Sequence, residues 1–163
     1  MTHTVRIATV ADLPAVQAAL AQALDWRGEG GWESPEEFID QMGHAYLLAE
    51  WGRAGDTAVV AEVDGQAVGA AWYRYWTDSS HSYGYVDDSI PEVGIGVEPG
   101  SRACGVGMSL MIRLLEQAAG QGVRCVSLSV ARDNAAASLY RRLGFERYAD
   151  VESSWTMLKR LGS

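Results

Sequence analysis

The sequence predicts an α/β fold built on a central mixed β-sheet flanked by helices. Three observations predict it. A strand at 91–97, a helix at 105–120 and a strand at 124–130 follow one another, and a strand–helix–strand succession pairs its two strands in parallel. Asp64-Gly65 joins two β-rich runs, 57–63 and 66–76, which is the chemistry of an antiparallel hairpin. Leu13, Val16, Leu20 and Leu24 fall on one stripe at helical spacing, so an amphipathic helix covers a sheet face.

The elements follow in order. Residues 4–8 read as a short edge strand, and Asp12 opens the first helix. Residues 25–33 (DWRGEGGWE) are loop by composition. Ser34-Pro35, with Glu36 and Glu37 behind it, is a helix start, and the helix is expected to reach the region of Leu47. After the hairpin, residues 77–90 (TDSSHSYGYVDDSI) form a polar loop dotted with aromatics, long for a simple connection. Leu110, Met111, Leu114, Leu115 and Ala118 share one face of the 105–120 helix. Val126, Leu128 and Val130 alternate with Cys125, Ser127 and Ser129, so two faces of that strand differ. Asn134 caps a helix running through Leu143, Gly144 ends it, and 145–148 and 153–159 close the fold as strands. No internal repeat, low-complexity tract or linker interrupts residues 1–163, so a single domain is expected.

Composition excludes several classes. A chain of 163 residues with 48% hydrophobic and 21% charged residues has the ordinary globular balance and enough length for one core. No apolar run is long enough for a membrane helix. The N-terminus has no basic region followed by an apolar run, so no signal peptide is expected and a cytoplasmic location is the default. The net charge of −8 argues against nucleic-acid binding, which needs a basic footprint. An acidic surface serves solubility and can also draw in cations. Two cysteines, Cys104 and Cys125, and three scattered histidines fit neither a disulfide framework nor a metal site.

Residues 92–107 (EVGIGVEPGSRACGVG) carry the chemistry. A strand runs into a glycine-bearing turn and then a helix. The first turn of a helix presents N–H groups without helical partners, and the helix dipole makes that end an anion site. Gly105 and Gly107 remove side chains where a phosphate must approach, and Arg102 adds a positive charge. This chemistry suggests a phosphate or pyrophosphate ligand; a ligand-free glycine turn is the structural alternative. A Walker loop is excluded because no Gly-Lys-Ser or Gly-Lys-Thr occurs. A dinucleotide fingerprint fits poorly, because Gly94 and Gly96 lie inside the strand rather than after it and no fitting acid ends the next strand.

The segment Arg102-Ala103-Cys104-Gly105-Val106-Gly107 resembles the (Q/R)-x-x-G-x-(G/A) pyrophosphate motif of the GNAT superfamily of acyl-CoA N-acyltransferases. The surroundings strengthen the resemblance. Val97-Glu98-Pro99 precedes the motif, VSLSV at 126–130 follows, and NAAASLYRRLGF at 134–145 is similar to the family's second motif. The specific likeness covers about 92–148.

The resemblance implies a GNAT-like sheet in which a splayed pair of parallel strands holds the cofactor. It implies an N-acetyltransferase that moves an acetyl group from acetyl-CoA to a primary amine by direct attack in a ternary complex, without a metal. Backbone N–H groups over 102–107 would bind the pyrophosphate, and backbone groups near Val97 the pantetheine arm and thioester carbonyl, stabilising the oxyanion. Asn134 would contact the cofactor arm; its other role is the helix cap. Tyr140 matches the family's frequent general acid, proton donor to the departing thiolate; its other role is packing. Glu92, which opens the strand toward Val97, is the choice of general base, since an amine attacks only as the free base; its other role is an ordinary strand end.

Asp87 and Asp88 form a cation-attracting pair near Glu92, and Trp32 and Tyr85 belong to a set of aromatics placed to flank an acceptor. Most of that set, especially Trp72, Tyr73, Tyr75 and Trp76, read equally as sheet packing. The acceptor would be a small-molecule or peptide amine, and the family commonly forms a homodimer. The competing functions are a nucleotide-phosphate enzyme using the same turn and a CoA-binding sensor or partner protein on the same scaffold without turnover.

Overall fold

The computed structural model describes residues 2–162. Seven strands form one mixed sheet in the order β1-β2-β3-β4-β5-β7-β6. They are β1 (Thr4–Ile7), β2 (Thr57–Val63), β3 (Gln66–Arg74), β4 (Glu92–Val97), β5 (Cys125–Ala131), β6 (Glu146–Val151) and β7 (Ser154–Arg160). Four α-helices accompany them: α1 (Leu13–Leu24), α2 (Pro35–Gln41), α3 (Val106–Gly120) and α4 (Ala136–Arg142). β4 and β5 are parallel, with Glu92 opposite Ser127, whereas β1–β2, β5–β7 and β6–β7 are antiparallel. The mixed sheet with one parallel pair and flanking helices is the expected fold class.

The chain divides into two compact units, Met1–Trp72 with Gly94–Leu114 and Tyr73–Val93 with Leu115–Ser163. In the first, α1 buries Val16, Leu20 and Ala21 against Val60, Ala70 and Trp72 of β2 and β3. Arg6 of β1 forks onto Asp12 at 2.8 Å from both carboxylate oxygens and also reaches Glu62. Asp12, expected to open the first helix, stands at its N-cap position just before Leu13, with its carboxylate given to Arg6 and to the Thr9 N–H. A short 3-10 helix, Val10–Asp12, leads into α1.

Two glycines of β4 act in packing. A Cβ on Gly96 would sit 1.8 Å from the Ala19 carbonyl oxygen, and one on Gly94 would enter the Trp72 ring at 2.4 Å. The strand is therefore bare where α1 and Trp72 press on it. Gly96→Ala should destabilise by about 3 kcal/mol or more, beyond ordinary overpacking because the obstacle is backbone. That is roughly 6–12 °C in thermal unfolding for a chain of this size. Gly120→Ala, whose Cβ meets nothing within 4 Å, should leave the midpoint unchanged or raise it.

The second unit buries Val126, Leu128 and Val130 of β5 with Met157, Tyr140 and Phe145. Ser127, expected on a polar face, is also fully buried, because the 77–90 loop covers it. Three further expectations are corrected. α2 stops at Gln41, well short of Leu47, because Gly43 turns the chain at φ 75° before a 3-10 helix at Ala45–Leu48. β3 ends at Arg74 rather than 76. α4 ends at Arg142, and Gly144, at φ 95°, carries the left-handed turn expected of it.

Candidate active site

The expected cofactor turn lies in the first unit. β4 ends at Val97, a 3-10 turn covers Pro99–Ser101, and α3 starts at Val106. Ala103 and Gly105 adopt φ 64° and 81°. For Gly105 this is free; for Ala103 it costs of order 1–2 kcal/mol, a strain typical of functional turns. A Cβ on Gly105 would meet nothing within 4 Å, so its open side faces space that a ligand can enter. Ser109 N–H already bonds the Gly105 carbonyl at 3.0 Å, while helix geometry leaves the N–H groups of Val106, Gly107 and Met108 without helical partners. Cys104 is an exposed free thiol.

Arg102 is more constrained than a free positive charge. Its Nε donates to the Val97 carbonyl at 3.0 Å and its Nη2 to Gln22 Oε1 at 3.2 Å. It therefore ties the end of β4 to the turn and to α1. Near Val97, that carbonyl is occupied and the Glu98 N–H donates to Val68 at 2.8 Å, so not every backbone group there is open to a ligand.

The loop after α1 is organised by Asp25, which accepts from Glu29 N, Gly30 N and Trp32 Nε1 at 2.8–3.1 Å. Burial pushes the Asp25 carboxyl up, but these three bonds and the Arg102 charge outweigh it and hold it below its usual value. Trp32 stacks on Phe38 at 5.4 Å between ring centroids. Its N–H is already engaged by Asp25 and one ring face by Phe38 of α2.

Glu92 is the most perturbed carboxylate of the second unit. Its Oε2 accepts from the Gly84 N–H at 3.0 Å, and its Oε1 is buried without a partner. Burial pushes its pKa up to about 7, against the opposing pull of the Gly84 N–H, the Ser82 hydroxyl and the His81 charge. Gly84 reaches this position because it has no side chain: a Cβ would meet the Leu128 and Ser129 backbone at 2.7 and 2.8 Å and Glu92 Oε2 at 2.9 Å.

The acidic pair expected beside Glu92 is tied into the same loop. Asp87 accepts from the hydroxyl and N–H of Ser89, which hold its carboxyl below the usual range. Tyr85 donates to Asp88, which pushes the phenol up to about 12, and stacks on His81 at 4.4 Å. Asp87, Asp88 and Tyr85 thus shape the loop that carries Gly84.

Asn134 Oδ1 accepts from Ala136 N at 2.9 Å, satisfying one N–H at the start of α4, close to the expected cap. This leaves its amide N–H₂ as a donor. Tyr140, on α4, is buried and meets Phe145 edge-on at 5.9 Å. Burial pushes its phenol up to about 12. Gly84, Ser82 and Ser127 were not among the candidate site residues that the sequence offers. A lone glycine in a long polar loop and a serine between two core residues were the available signals.

Among the described residues no helix is long and apolar enough to cross a membrane. The model of the acetyltransferase (GNAT) family matches residues 19–145. A mycothiol acetyltransferase of Amycolatopsis mediterranei is 31% identical over 144 residues, 86% of this chain and 45% of that protein. An L-methionine sulfoximine/L-methionine sulfone acetyltransferase of Pseudomonas paraeruginosa is 29% identical over 147 residues, 90% and 81% of the two chains. The chain thus spans under half of the first relative and most of the second. A crystal structure of a PaiA N-acetyltransferase from Thermoplasma acidophilum in complex with coenzyme A superposes with a TM-score of 0.72 at 18% identity, over 98% and 99% of the two chains. The sheet order, the β4-turn-α3 segment and a family match across most of the sequence agree, and this chain belongs to the acetyltransferase (GNAT) family.

Proposed function

We propose that this chain is a single-domain N-acetyltransferase that moves an acetyl group from acetyl-CoA to a primary amine by direct attack in a ternary complex. The observation that carries the proposal is Glu92: a buried carboxylate with one unpartnered oxygen and a pKa near 7. A base that titrates near neutrality can take a proton from an ammonium group and release it again. The amine nitrogen then attacks the thioester carbonyl, the C–S bond breaks, Tyr140 donates a hydrogen bond or its proton to the leaving sulfur, and the extra proton on the new amide nitrogen passes to the departing thiolate, to the tyrosinate or to solvent.

The cofactor reading rests on the helix N-terminus at α3, the open Gly105 and the motif over Arg102, Ala103, Cys104, Gly105, Val106 and Gly107. N–H groups of this segment would take the pyrophosphate. Backbone near Val97 and the Asn134 amide would take the pantetheine arm, where β4 and β5 are expected to splay beyond the Glu92–Ser127 pair. The fold neighbour solved with coenzyme A is compatible with this assignment. Asp87, Asp88, Tyr85 and Trp32 would bound the acceptor side through the loops they organise. The acceptor is a small-molecule or peptide amine; the relatives are named for mycothiol and for L-methionine sulfoximine and sulfone. A cytoplasmic homodimer is the setting we propose.

Two measurements test the reading. Coenzyme A at about 100 times its dissociation constant should raise the thermal midpoint by roughly 5–10 °C, and Gly105→Trp should abolish most of the rise. An amine panel including amino-acid sulfoximines and sulfones, read by thiol release from acetyl-CoA, should then show turnover. No stabilisation by millimolar coenzyme A would overturn the cofactor assignment. Stabilisation without thiol release on any amine would favour the sensor.

A further inference from the structure

We propose that Ser127 is a positioning residue that aims the Glu92 carboxylate through the backbone of Gly84. Ser127 and Glu92 are register partners of the parallel pair, which places their side chains next to each other on one face of the sheet. The fully buried Ser127 hydroxyl donates to the Gly84 carbonyl at 2.7 Å. The N–H of that same glycine donates to Glu92 Oε2 at 3.0 Å. One residue of the loop is thus held at both of its backbone groups, by β5 on one side and by the carboxylate on the other. The Ser127 N–H bonds the Pro91 carbonyl at 3.0 Å, so the serine is itself fixed to the start of β4.

The arrangement divides the two carboxylate oxygens. Oε2 is committed to Gly84, and Oε1 is left buried and unpartnered. Oε1 is then the atom that receives a proton, and its direction depends on how firmly Gly84 grips Oε2. No side chain is possible at the gripping residue, because a Cβ on Gly84 would strike the β5 backbone and Oε2 together. The groups acting on Glu92 are the Gly84 N–H, the Ser82 hydroxyl and the charge of His81, all from the loop; β5 contributes the neutral Ser127. His81 Nδ1 bonds the Ser82 carbonyl at 2.8 Å, so that nitrogen carries a proton and the ring orientation is fixed.

The mechanistic consequence rests on the reading of Glu92 as base, but the positioning itself can be measured without activity. Carboxyl ¹³C NMR titration reports the Glu92 pKa directly, with Glu92→Gln identifying the resonance by its disappearance. Ser127→Ala removes the hydroxyl at nearly constant volume. The Gly84 N–H, which favours the charged carboxylate, should loosen, and the Glu92 titration should move upward by about half a pH unit or more, a sizeable part of one neutral hydrogen bond. The acid limb of the pH–rate profile should move with it, and kcat should fall several-fold with KM for acetyl-CoA unchanged. Ser127→Cys, a weaker donor of similar size, should give a smaller shift of the same sign and covers the case in which the alanine variant folds poorly. A Glu92 titration that stays at the parent value in both variants overturns the proposal. A titration that moves while Glu92→Gln keeps the parent pH–rate profile leaves the positioning intact and overturns the base.

Discussion

Glu92→Gln should lower turnover by about 100- to 10,000-fold, the usual worth of a positioned general base, and should abolish the acid limb of the pH–rate profile. The parent should gain rate as pH rises through about 7, where Glu92 loses its proton, and reach a plateau above it. The same group makes a second, independent prediction about stability. Its folded value lies above the ordinary 4.5, so the unfolded chain releases this proton first as pH rises. The contribution of the protonated carboxyl is complete below about pH 4.5 and is lost as pH passes through about 7. Relative to the parent, Glu92→Gln should therefore gain up to roughly 3 kcal/mol between those limits. A series of denaturant titrations across that range, in parent and variant, measures the difference. A constant difference would mean that the carboxyl is not held protonated by the fold. A variant that becomes more stable as it loses activity is the expected mark of a carboxylate kept buried for chemistry.

Tyr140→Phe should lower kcat by about 100-fold or more and leave coenzyme A affinity nearly unchanged. On the proposed reading the hydroxyl acts only when the thiolate departs, so its loss belongs to the rate and not to ground-state binding. The magnitude is placed at the lower end for a physical reason. The phenol is pushed up to about 12, whereas a thiol titrates near 8.5, so complete transfer to sulfur runs uphill. On that reading the residue would act chiefly as a hydrogen-bond donor to a developing negative charge. Its high value also means that it imposes no limb on the pH–rate profile below the alkaline range. Stability should change little, since the edge-on ring contact with Phe145 at 5.9 Å survives in the variant. Single-turnover measurement of thiol release, with coenzyme A affinity taken separately, checks both parts. Unchanged turnover where chemistry limits the rate would assign Tyr140 to packing.

Much of the fold was legible in sequence because the relevant signals are local. Asp64-Gly65 dictates a tight turn, the Leu13–Val16–Leu20–Leu24 stripe dictates a helix with one buried face, and Gly144 has the freedom for the left-handed end of α4. The strand–turn–helix passage over 92–107 followed from the same logic. Tertiary contact set the partners that local preference does not show. Asp12, a good cap by type, is held by Arg6 from a neighbouring strand. Arg102, expected to add a charge beside an anion, is also tied to Val97 and Gln22. Gly94 and Gly96, set aside as phosphate glycines because they lie inside the strand, are bare because α1 and Trp72 occupy the space of their side chains.

The sequence by itself determined the α/β class, the order of its elements, the position of the glycine turn before α3 and the identity of Glu92 and Tyr140 as candidates. Only the tertiary structure decided what Glu92 is. A carboxylate's acidity depends on its solvation and on the donors that reach it. Those come from Gly84 in the covering loop and, through it, from Ser127 on the neighbouring strand. Residues distant in the chain set that environment, and no spacing or motif around residue 92 encodes it.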